Sequence, residues 1–230
     1  MKKSTEDHDF NIGELILYKN NQLIAFNKPA GIGVQSDATN DKSLMELAEI
    51  YTKSKVYVIH RLDRPASGVV LMAKNGKALA HLNEQFRNRS IEKRYLALVK
   101  NKPEKEQGQL VHHLLKNAKL NKSFVVGPDR KNSKEAILEY NTIGNSDFYT
   151  LLDVKLITGR HHQIRVQLAK IGSPIKGDVK YGFNRSNQDK SIHLHAWKLS
   201  FKHPTSHEKV TLTAPPPEDN LWLSFSDVIK

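Results

Sequence analysis

The chain contains no cysteine among its 230 residues. This absence excludes disulfide bridges, catalysis by a thiolate and zinc sites built from cysteine. It is consistent with a reducing compartment, and we predict that the protein is cytoplasmic.

The sequence also lacks any long apolar segment. No run approaches the roughly 20 apolar residues that a membrane-spanning helix needs, so no membrane association is expected. The lysines near the start are not followed by an apolar stretch, which argues against a secretory signal. A glycine-rich phosphate loop of the nucleotide-binding types is absent as well.

Acidic residues are in the minority. Lysine and arginine outnumber aspartate and glutamate by 36 to 24, which gives a formal net charge of +12. Such an excess creates a positive field that attracts polyanions, most often nucleic acid. A basic surface kept for solubility explains the same number, so charge alone leaves both interpretations open.

The hydrophobic periodicity predicts roughly ten strands and four helices, an α+β arrangement on a mostly antiparallel or mixed central sheet. We predict one domain over 13–230 after a flexible segment 1–12, and a monomer. Ser43 and Glu46 have the spacing of a capping box, and Asn75 is placed to cap the second helix. The predicted strands are 15–18, 23–26, 55–59, 69–73, 91–99, 109–115, 123–126, 135–143, 148–157, 192–201 and 208–213. The predicted helices follow Ser43 and Asn75, run from about 161 to 171 and are completed by a terminal helix near 219–229.

The loop between the predicted strands 55–59 and 69–73 is the most informative part of the chain. It contains Asp63 flanked by Arg61 and Arg64, and nearby positive charge favours the ionised form of a carboxylate. A proline and a glycine restrict the backbone that follows, so we expect the carboxylate on a loop held by two strands. One fixed anion suits attack on an electron-poor carbon, or removal of a proton, beside a polyanion. Taken alone, the same residues also fit a surface salt bridge.

A longer sequence motif around Asp63 favours the catalytic interpretation over the surface salt bridge. The segment Ile59-His-Arg-Leu-Asp-Arg-Pro-Ala-Ser-Gly68 is similar to the H-R-L-D-x-x-T-S-G signature of the RluA family of pseudouridine synthases, in which the aspartate is catalytic. The resemblance implies that Asp63 is catalytic and that Arg61 fills the space left by a flipped base. It also makes His60 and Arg64 candidates for contact with RNA.

A second family motif contributes an aromatic residue. Glu92-Lys-Arg-Tyr-Leu-Ala-Leu-Val99 resembles the K-x-Y-x-A-x-V strand of the family, whose tyrosine lies in the active site. Tyr95 offers a flat face for stacking on uracil and a hydroxyl that can relay a proton.

A third motif contributes the basic residues. Thr158-Gly-Arg-His-His-Gln-Ile-Arg-Val-Gln-Leu168 resembles the family sequence T-G-R-T-H-Q-I-R-V-H-L, and this resemblance assigns Arg165 to the catalytic carboxylate. Helical spacing places His161 and Arg165 at i and i+4 on one face, and His161 is a further candidate for contact with RNA. Arg160, near the expected start of the helix, is positioned to hold a phosphate.

Weaker matches and several departures accompany these motifs. Residues 25–31 resemble an early K-P-x-G turn, and residues 175–182 resemble a G-D-x-x-Y-G loop, so the matches follow the family order over most of the chain. Ala66 and His161 replace threonines of the family patterns, and Gln167 replaces a histidine, which puts only local contacts in doubt. Many relatives carry an N-terminal RNA-binding module, and we expect this chain to correspond to the catalytic domain without it.

The resemblance implies a pseudouridine synthase fold and the isomerisation of uridines in structured ribosomal or transfer RNA. The reaction adds and removes no atoms, so we expect no cofactor and no metal. The paired histidines of the chain lack a well-spaced carboxylate, which also argues against a metal site.

Two other functions remain open from the residues. A non-catalytic RNA-binding protein would share the charge and the fold but would not require Asp63, Tyr95 and Arg165 together. A hydrolase of nucleosides or RNA usually needs two placed carboxylates, and the motifs supply one.

Overall fold

The computed structural model describes residues 11–36 and 41–229, which form a single mixed sheet with helices packed against it. The strands are β1 (Ile16–Lys19), β2 (Leu23–Lys28), β3 (Tyr57–Val58), β4 (Ser67–Ala73), β5 (Glu92–Val99), β6 (Gln107–Asn117), β7 (Lys122–Val126), β8 (Lys134–Asn145), β9 (Thr150–Leu156), β10 (Leu194–Lys202) and β11 (Lys209–Thr213). The α-helices are α1 (Leu44–Thr52), α2 (Gly76–Arg87), α3 (Gln163–Lys170) and α4 (Asn220–Leu223), and two 3-10 helices occupy Ile12–Leu15 and Val179–Tyr181.

The order of the strands brings distant parts of the chain together. It is β1-β2-β4-β10-β5-β9-β8-β6-β7, with β3 beside β4 and β11 beside β10. Within the described residues, β4 and β10 form the parallel pair and the other named pairs are antiparallel. The predicted α+β class with a mixed sheet is therefore confirmed.

Alternation along β2 and β4 explains why both faces of this part of the sheet are covered. One set of side chains, including Leu23 and Leu71, packs with Leu82 of α2. The intervening set, including Phe26 and Met72, packs with Leu44 of α1. Because successive side chains of a strand point to opposite faces, these two helices lie on opposite sides of the same strands.

The other half of the sheet is covered in the same way. Ala97 and Val154 pack with Ile164 and Leu168 of α3. On the opposite face of β5, Leu96 and Leu98 pack with Trp197, Trp222 and Phe225 in a separate cluster. The helix α3 is thus fixed against β5, β8 and β9 by its apolar side.

Both predicted N-terminal helix caps are present. The Ser43 side chain accepts from the amide of Glu46 while the Glu46 carboxylate accepts from the amide of Ser43, so the predicted capping box is confirmed. Asn75 caps α2 through the amide of Ala78, as predicted. Gly172 follows α3 with φ of 83°, a left-handed conformation that glycine adopts without strain.

Several predicted boundaries are wrong, and three of them change the extent of an element or the face on which a residue lies. The strand 55–59 shortens to β3, and the terminal helix 219–229 shortens to α4 because the chain beyond it closes i to i+3 turns around Phe225. The helix expected from about 161 begins at Gln163, because His162 has a left-handed backbone with φ of 55°. His161 therefore does not share a helix face with Arg165.

The predicted flexible segment 1–12 is mostly outside the described residues, which begin at position 11. Asn11 accepts a hydrogen bond from the amide of Gly13 and caps the first 3-10 helix. The assignment of 13–230 to one domain stays a prediction.

Candidate active site

Asp63 lies in the loop between β3 and β4, where the chain turns before it enters the sheet. The amide of Ala66 donates to the carbonyl oxygen of Asp63 at 3.1 Å. Ala66, the residue that replaces the threonine of the family pattern, is buried in the apolar cluster beneath α3. The Asp63 side chain is 28% exposed, so its carboxylate is held by the turn and remains accessible from solvent.

Arg165 connects Asp63 to a second carboxylate. Its Nη1 donates to Asp63 Oδ2 at 2.9 Å, while Nε and Nη2 donate to Asp178 at 2.7 and 2.8 Å. The Arg165 and Asp178 side chains are only 5% and 1% exposed. Burial disfavours the guanidinium charge, but the hydrogen bonds and charges of Asp178 and Asp63 outweigh burial and raise the pKa of Arg165. Arg165 is therefore a fixed cation that orients the Asp63 carboxylate.

A histidine and a tyrosine form the wall beside this ion pair. Nε2 of His162 lies 3.6 Å from Asp63 Oδ2, and Nδ1 of the same ring lies 2.9 Å from Tyr181 Oη. Because the amide of Ser123 already donates to that phenol oxygen at 2.8 Å, we assign the phenol hydrogen to His162 Nδ1. This assignment leaves the imidazole hydrogen on Nε2, facing Asp63.

His162 stays neutral in this position. Burial, opposed by the charge of Asp63, lowers the pKa of His162 to about 3. The Tyr181 ring also lies beneath Arg165, with the guanidinium carbon 5.1 Å from the ring centroid. Tyr181 therefore fixes both groups that face Asp63, one through its hydroxyl and one through its ring.

Lys28 is hydrogen-bonded to the loop that carries Asp63. Its side chain is fully buried, and Nζ donates to the carbonyl oxygens of Pro29, Ile32 and Arg64 at 2.8, 3.0 and 3.3 Å. Three acceptors match the three hydrogens of an ammonium group. Burial lowers the pKa of Lys28 to about 7, against the effect of the Asp63 charge. The lysine thus ties the loop after β2 to the loop that carries the aspartate.

Tyr95 projects from β5 toward the same site. Its backbone pairs with Ala196 of β10 and Val154 of β9, in the middle of the sheet. Burial, reinforced by the charge of Asp63, raises the pKa of Tyr95 above its ordinary range. The phenol is therefore neutral at physiological pH and lies within electrostatic range of Asp63.

The cations that flank Asp63 in the sequence take separate directions. Arg61 is exposed, two positions before Asp63. Arg64 Nη1 donates to the carbonyl oxygen of Gly31 and to Asp41 Oδ2, both at 2.9 Å, which braces the loop. Arg165, which lies 102 positions further along the chain, donates a hydrogen bond to Asp63.

The three other predicted RNA-binding residues also have contacts within the fold. His60 Nε2 accepts from the amide of Leu71 at 3.0 Å, and its ring stacks on Phe86. His161 stacks on His162 and contacts the β6–β7 hairpin through Ser123. Arg160 Nε donates to the carbonyl oxygen of Glu135 at 2.9 Å. Their roles in RNA binding stay predictions.

Four residues of the site were not predicted from the sequence: Lys28, His162, Asp178 and Tyr181. Each one lies inside a motif that was recognised as a resemblance. The K-P-x-G turn contains the lysine, the third motif contains the histidine, and the G-D-x-x-Y-G loop contains the aspartate and the tyrosine. Membership of these motifs could have identified the four residues as candidates. The spacing of the motifs does not show that the side chains meet Asp63 or Arg165.

Three of the remaining paired histidines, His112, His193 and His195, have hydrogen-bond partners within the fold. His195 is fully buried between Ser67 Oγ, 2.8 Å from Nδ1, and the carbonyl oxygen of Ala214, 3.0 Å from Nε2. Residues 11–36 and 41–229 contain no group of three histidine, cysteine, aspartate or glutamate side chains placed to hold a metal ion. The same ranges contain no helix long and apolar enough to span a membrane.

Comparison with known proteins agrees with this geometry. Residues 22–170 match the family model of RNA pseudouridylate synthases. The ribosomal large subunit pseudouridine synthase C of Buchnera aphidicola is 35% identical over 211 residues, which cover 87% of this chain and 66% of that protein. The tRNA pseudouridine synthase C of Haemophilus ducreyi is 33% identical over 220 residues, which cover 86% of this chain and 89% of that protein.

A solved structure gives the same result. The human protein RNA Pseudouridylate Synthase Domain Containing 4 superposes with a TM-score of 0.76 at 25% identity, over 92% of each chain. The chain therefore belongs to the RNA pseudouridylate synthase family, whose members are isomerases that convert uridine in RNA to pseudouridine.

Proposed function

We propose that this protein isomerises uridines in structured RNA and that Asp63 is its catalytic residue. The observation that carries the proposal is the accessible Asp63 carboxylate, hydrogen-bonded at 2.9 Å to a buried arginine that is itself clamped by Asp178. Such an anion is oriented before the substrate arrives, and preorganisation of this kind lowers the barrier of the chemical step.

The target base must leave its stack before Asp63 reaches the ribose. Base flipping costs roughly a few kcal/mol, which contacts with the protein must offset. Arg61 is exposed two positions from Asp63, and we assign it to the space that the base vacates. The neutral, flat phenol of Tyr95 would then stack against the detached uracil.

The reaction breaks the bond between the anomeric carbon and uracil N1, and it forms a bond from that carbon to C5. Asp63 either attacks the anomeric carbon, and the ester bond is broken again when C5 bonds to that carbon, or removes the neighbouring 2′ proton and later returns it. C5 loses a proton and N1 gains one, so atoms and electrons balance without a cofactor. The raised pKa of Tyr95 favours stacking over removal of the C5 proton, because the phenol would first have to ionise.

The class of RNA is part of the proposal. One relative is named for the large ribosomal subunit and another for tRNA, so both kinds of structured RNA are candidates here. A basic surface and a formal net charge of +12 support the binding of either one. A monomeric enzyme of the cytoplasm remains our prediction.

Replacing Asp63 tests the proposal. We expect Asp63→Asn to reduce pseudouridine formation by a factor on the order of 10⁴ or more, as for a residue that takes part in bond formation. Because the asparagine keeps the shape of the side chain, RNA binding should be largely retained. The isomerisation does not change mass, so the product is scored by carbodiimide labelling of RNA incubated with the purified protein.

The same assay separates the other candidate functions. Undiminished pseudouridine formation by the Asp63→Asn variant would contradict the role of the aspartate. RNA binding by the wild-type protein without any modified uridine would favour a binding protein. Release of free uracil would favour a hydrolase.

A further inference from the structure

A basic cleft opens beside the Asp63 site, between the end of α2, the start of β5 and the loop that connects β9 to α3. Its volume is about 400 Å³. Its lining includes Phe86, Arg87, Arg89, Lys93, Gly159 and Arg160.

The cleft concentrates positive charge without acidic partners. Arg87, Arg89, Lys93 and Arg160 line it, and none of the four forms an ion pair with a carboxylate within residues 11–36 and 41–229. The pKa of Lys93 is lowered mainly by burial and secondly by the positive charge of Arg89. An anion placed in this cleft would be attracted by all four cations.

The walls of the cleft continue into the Asp63 site on two sides. Phe86 stacks on His60, with ring centroids 5.3 Å apart, and His60 precedes Asp63 by three positions. Arg160 precedes His162 by two positions, and His162 faces Asp63. Three residues span at most about 10 Å of extended chain, so the part of the wall that contacts His60 lies close to Asp63.

We infer that this cleft binds consecutive phosphates of the RNA strand next to the uridine that reaches Asp63. The inference rests on the proposed function and specifies which surface holds the RNA backbone. Arginines match the geometry of phosphate oxygens, with two parallel N–H donors each, and Arg87 and Arg89 are exposed at the rim. Gly159 has no side chain, which leaves Lys93 Nζ uncovered on this side. A Cβ atom at position 159 would lie 3.9 Å from Lys93 Nζ.

The test measures the salt dependence of RNA binding. The double variant Arg87→Gln/Arg89→Gln is made in the Asp63→Asn protein, so that the RNA is not modified during the titration. The probes are a labelled oligouridylate and bulk tRNA. Each lost phosphate contact should lower the slope of log affinity against log salt by about 0.7 to 0.9, so we expect a decrease of roughly 1.5.

The chain offers a matched control in Lys53→Gln/Lys55→Gln. These two lysines are exposed and follow α1, which covers the face of β2 and β4 opposite to α2. Each pair contains one residue with a left-handed backbone, Lys53 with φ of 50° and Arg89 with φ of 55°. The control removes the same charge and should leave the slope unchanged.

The outcomes distinguish this inference from the proposed function. An unchanged slope in the Arg87→Gln/Arg89→Gln variant, or an equal decrease in the control, would overturn the inference even if the wild-type protein makes pseudouridine. Failure of the wild-type protein to modify RNA would overturn the proposed function, whatever the slopes are. Thermal unfolding of both variants verifies that they are folded, and each single arginine variant should give about half of the decrease.

Discussion

At the scale of single residues, the site depends on groups that hold other groups in place. Arg165 faces Asp63 because Asp178 binds the other side of its guanidinium. His162 points its Nε2 hydrogen at Asp63 because the Tyr181 hydroxyl occupies Nδ1. We therefore infer that Tyr181 positions both His162 and Arg165, and substitution by phenylalanine separates these two effects.

We expect Tyr181→Phe to lower kcat roughly 10-fold, because the hydrogen bond that positions His162, worth about 1 kcal/mol, is lost. The ring beneath Arg165 is kept, whereas the hydrogen bonds to Ser123 and His162 are lost. Without the hydroxyl, the imidazole hydrogen is no longer directed toward Asp63. The measurement is the rate of pseudouridine formation at saturating RNA.

Tyr140→Phe is the matched control for this change. Tyr140 is a buried tyrosine on β8, and its hydroxyl donates only to the carbonyl oxygen of Lys105 at 3.3 Å. Loss of that bond should affect stability by about 1 kcal/mol and leave kcat unchanged. Equal rates in the two variants would contradict the positioning role of Tyr181.

At the scale of elements, the parallel pairing of β4 with β10 is what brings the Asp63 loop to the centre of the sheet. The pairing places Gly68 opposite Ala196. Gly68 has φ of 112°, and a Cβ atom there would lie 2.3 Å from the carbonyl oxygen of Ala196. This glycine is therefore required by backbone conformation and by the close approach of the two strands.

We expect Gly68→Ala to destabilise the fold by on the order of 3 kcal/mol or more, because strain at positive φ adds to a clash with backbone. Urea denaturation measures the change. Gly76→Ala is the control: Gly76 begins α2 with nothing within 4 Å of its added Cβ atom, so alanine should stabilise by about 0.5 kcal/mol. Comparable stability of the two variants would show that the strands can separate at little cost.

At the scale of the whole molecule, buried neutral histidines make stability depend on pH. Burial lowers the pKa of His60 and His195 to about 4 and that of His162 to about 3. In the unfolded chain these rings have a pKa of about 6.5. The unfolded state therefore binds more protons than the folded state between about pH 4 and 6.5.

The free energy of unfolding should consequently decrease as the pH falls from 7 to 5, by up to roughly 2 kcal/mol for each of the three histidines. Urea denaturation at several pH values measures this slope. His60→Gln removes one titrating ring and can still accept a hydrogen bond from the amide of Leu71. The free energy of unfolding should therefore change less steeply with pH, by an amount that corresponds to at most one bound proton. A slope identical to that of the wild-type protein would show that His60 does not contribute.

Local features of the fold were predictable because their causes are local. Short, nearly continuous apolar runs indicate β2 and β4, and the caps at Ser43 and Asn75 specify where α1 and α2 begin. The start of α3 was not predictable in this way. His162 precedes the helix and has a left-handed backbone. Its side chain is hydrogen-bonded to Tyr181, which is a tertiary contact, and stacks on His161, which depends on the turn.

The sequence by itself determined the family motifs, the mixed α+β composition, the positive charge and the identity of Asp63 as the candidate catalytic residue. Only the tertiary structure decided what surrounds that aspartate: Arg165 at 2.9 Å, the neutral His162 held by Tyr181, and Lys28 beneath the loop. The physical reason is that these contacts join strands and loops far apart in the chain. They depend on the order of strands in the sheet, above all on β10 lying between β4 and β5, which no local pattern specifies.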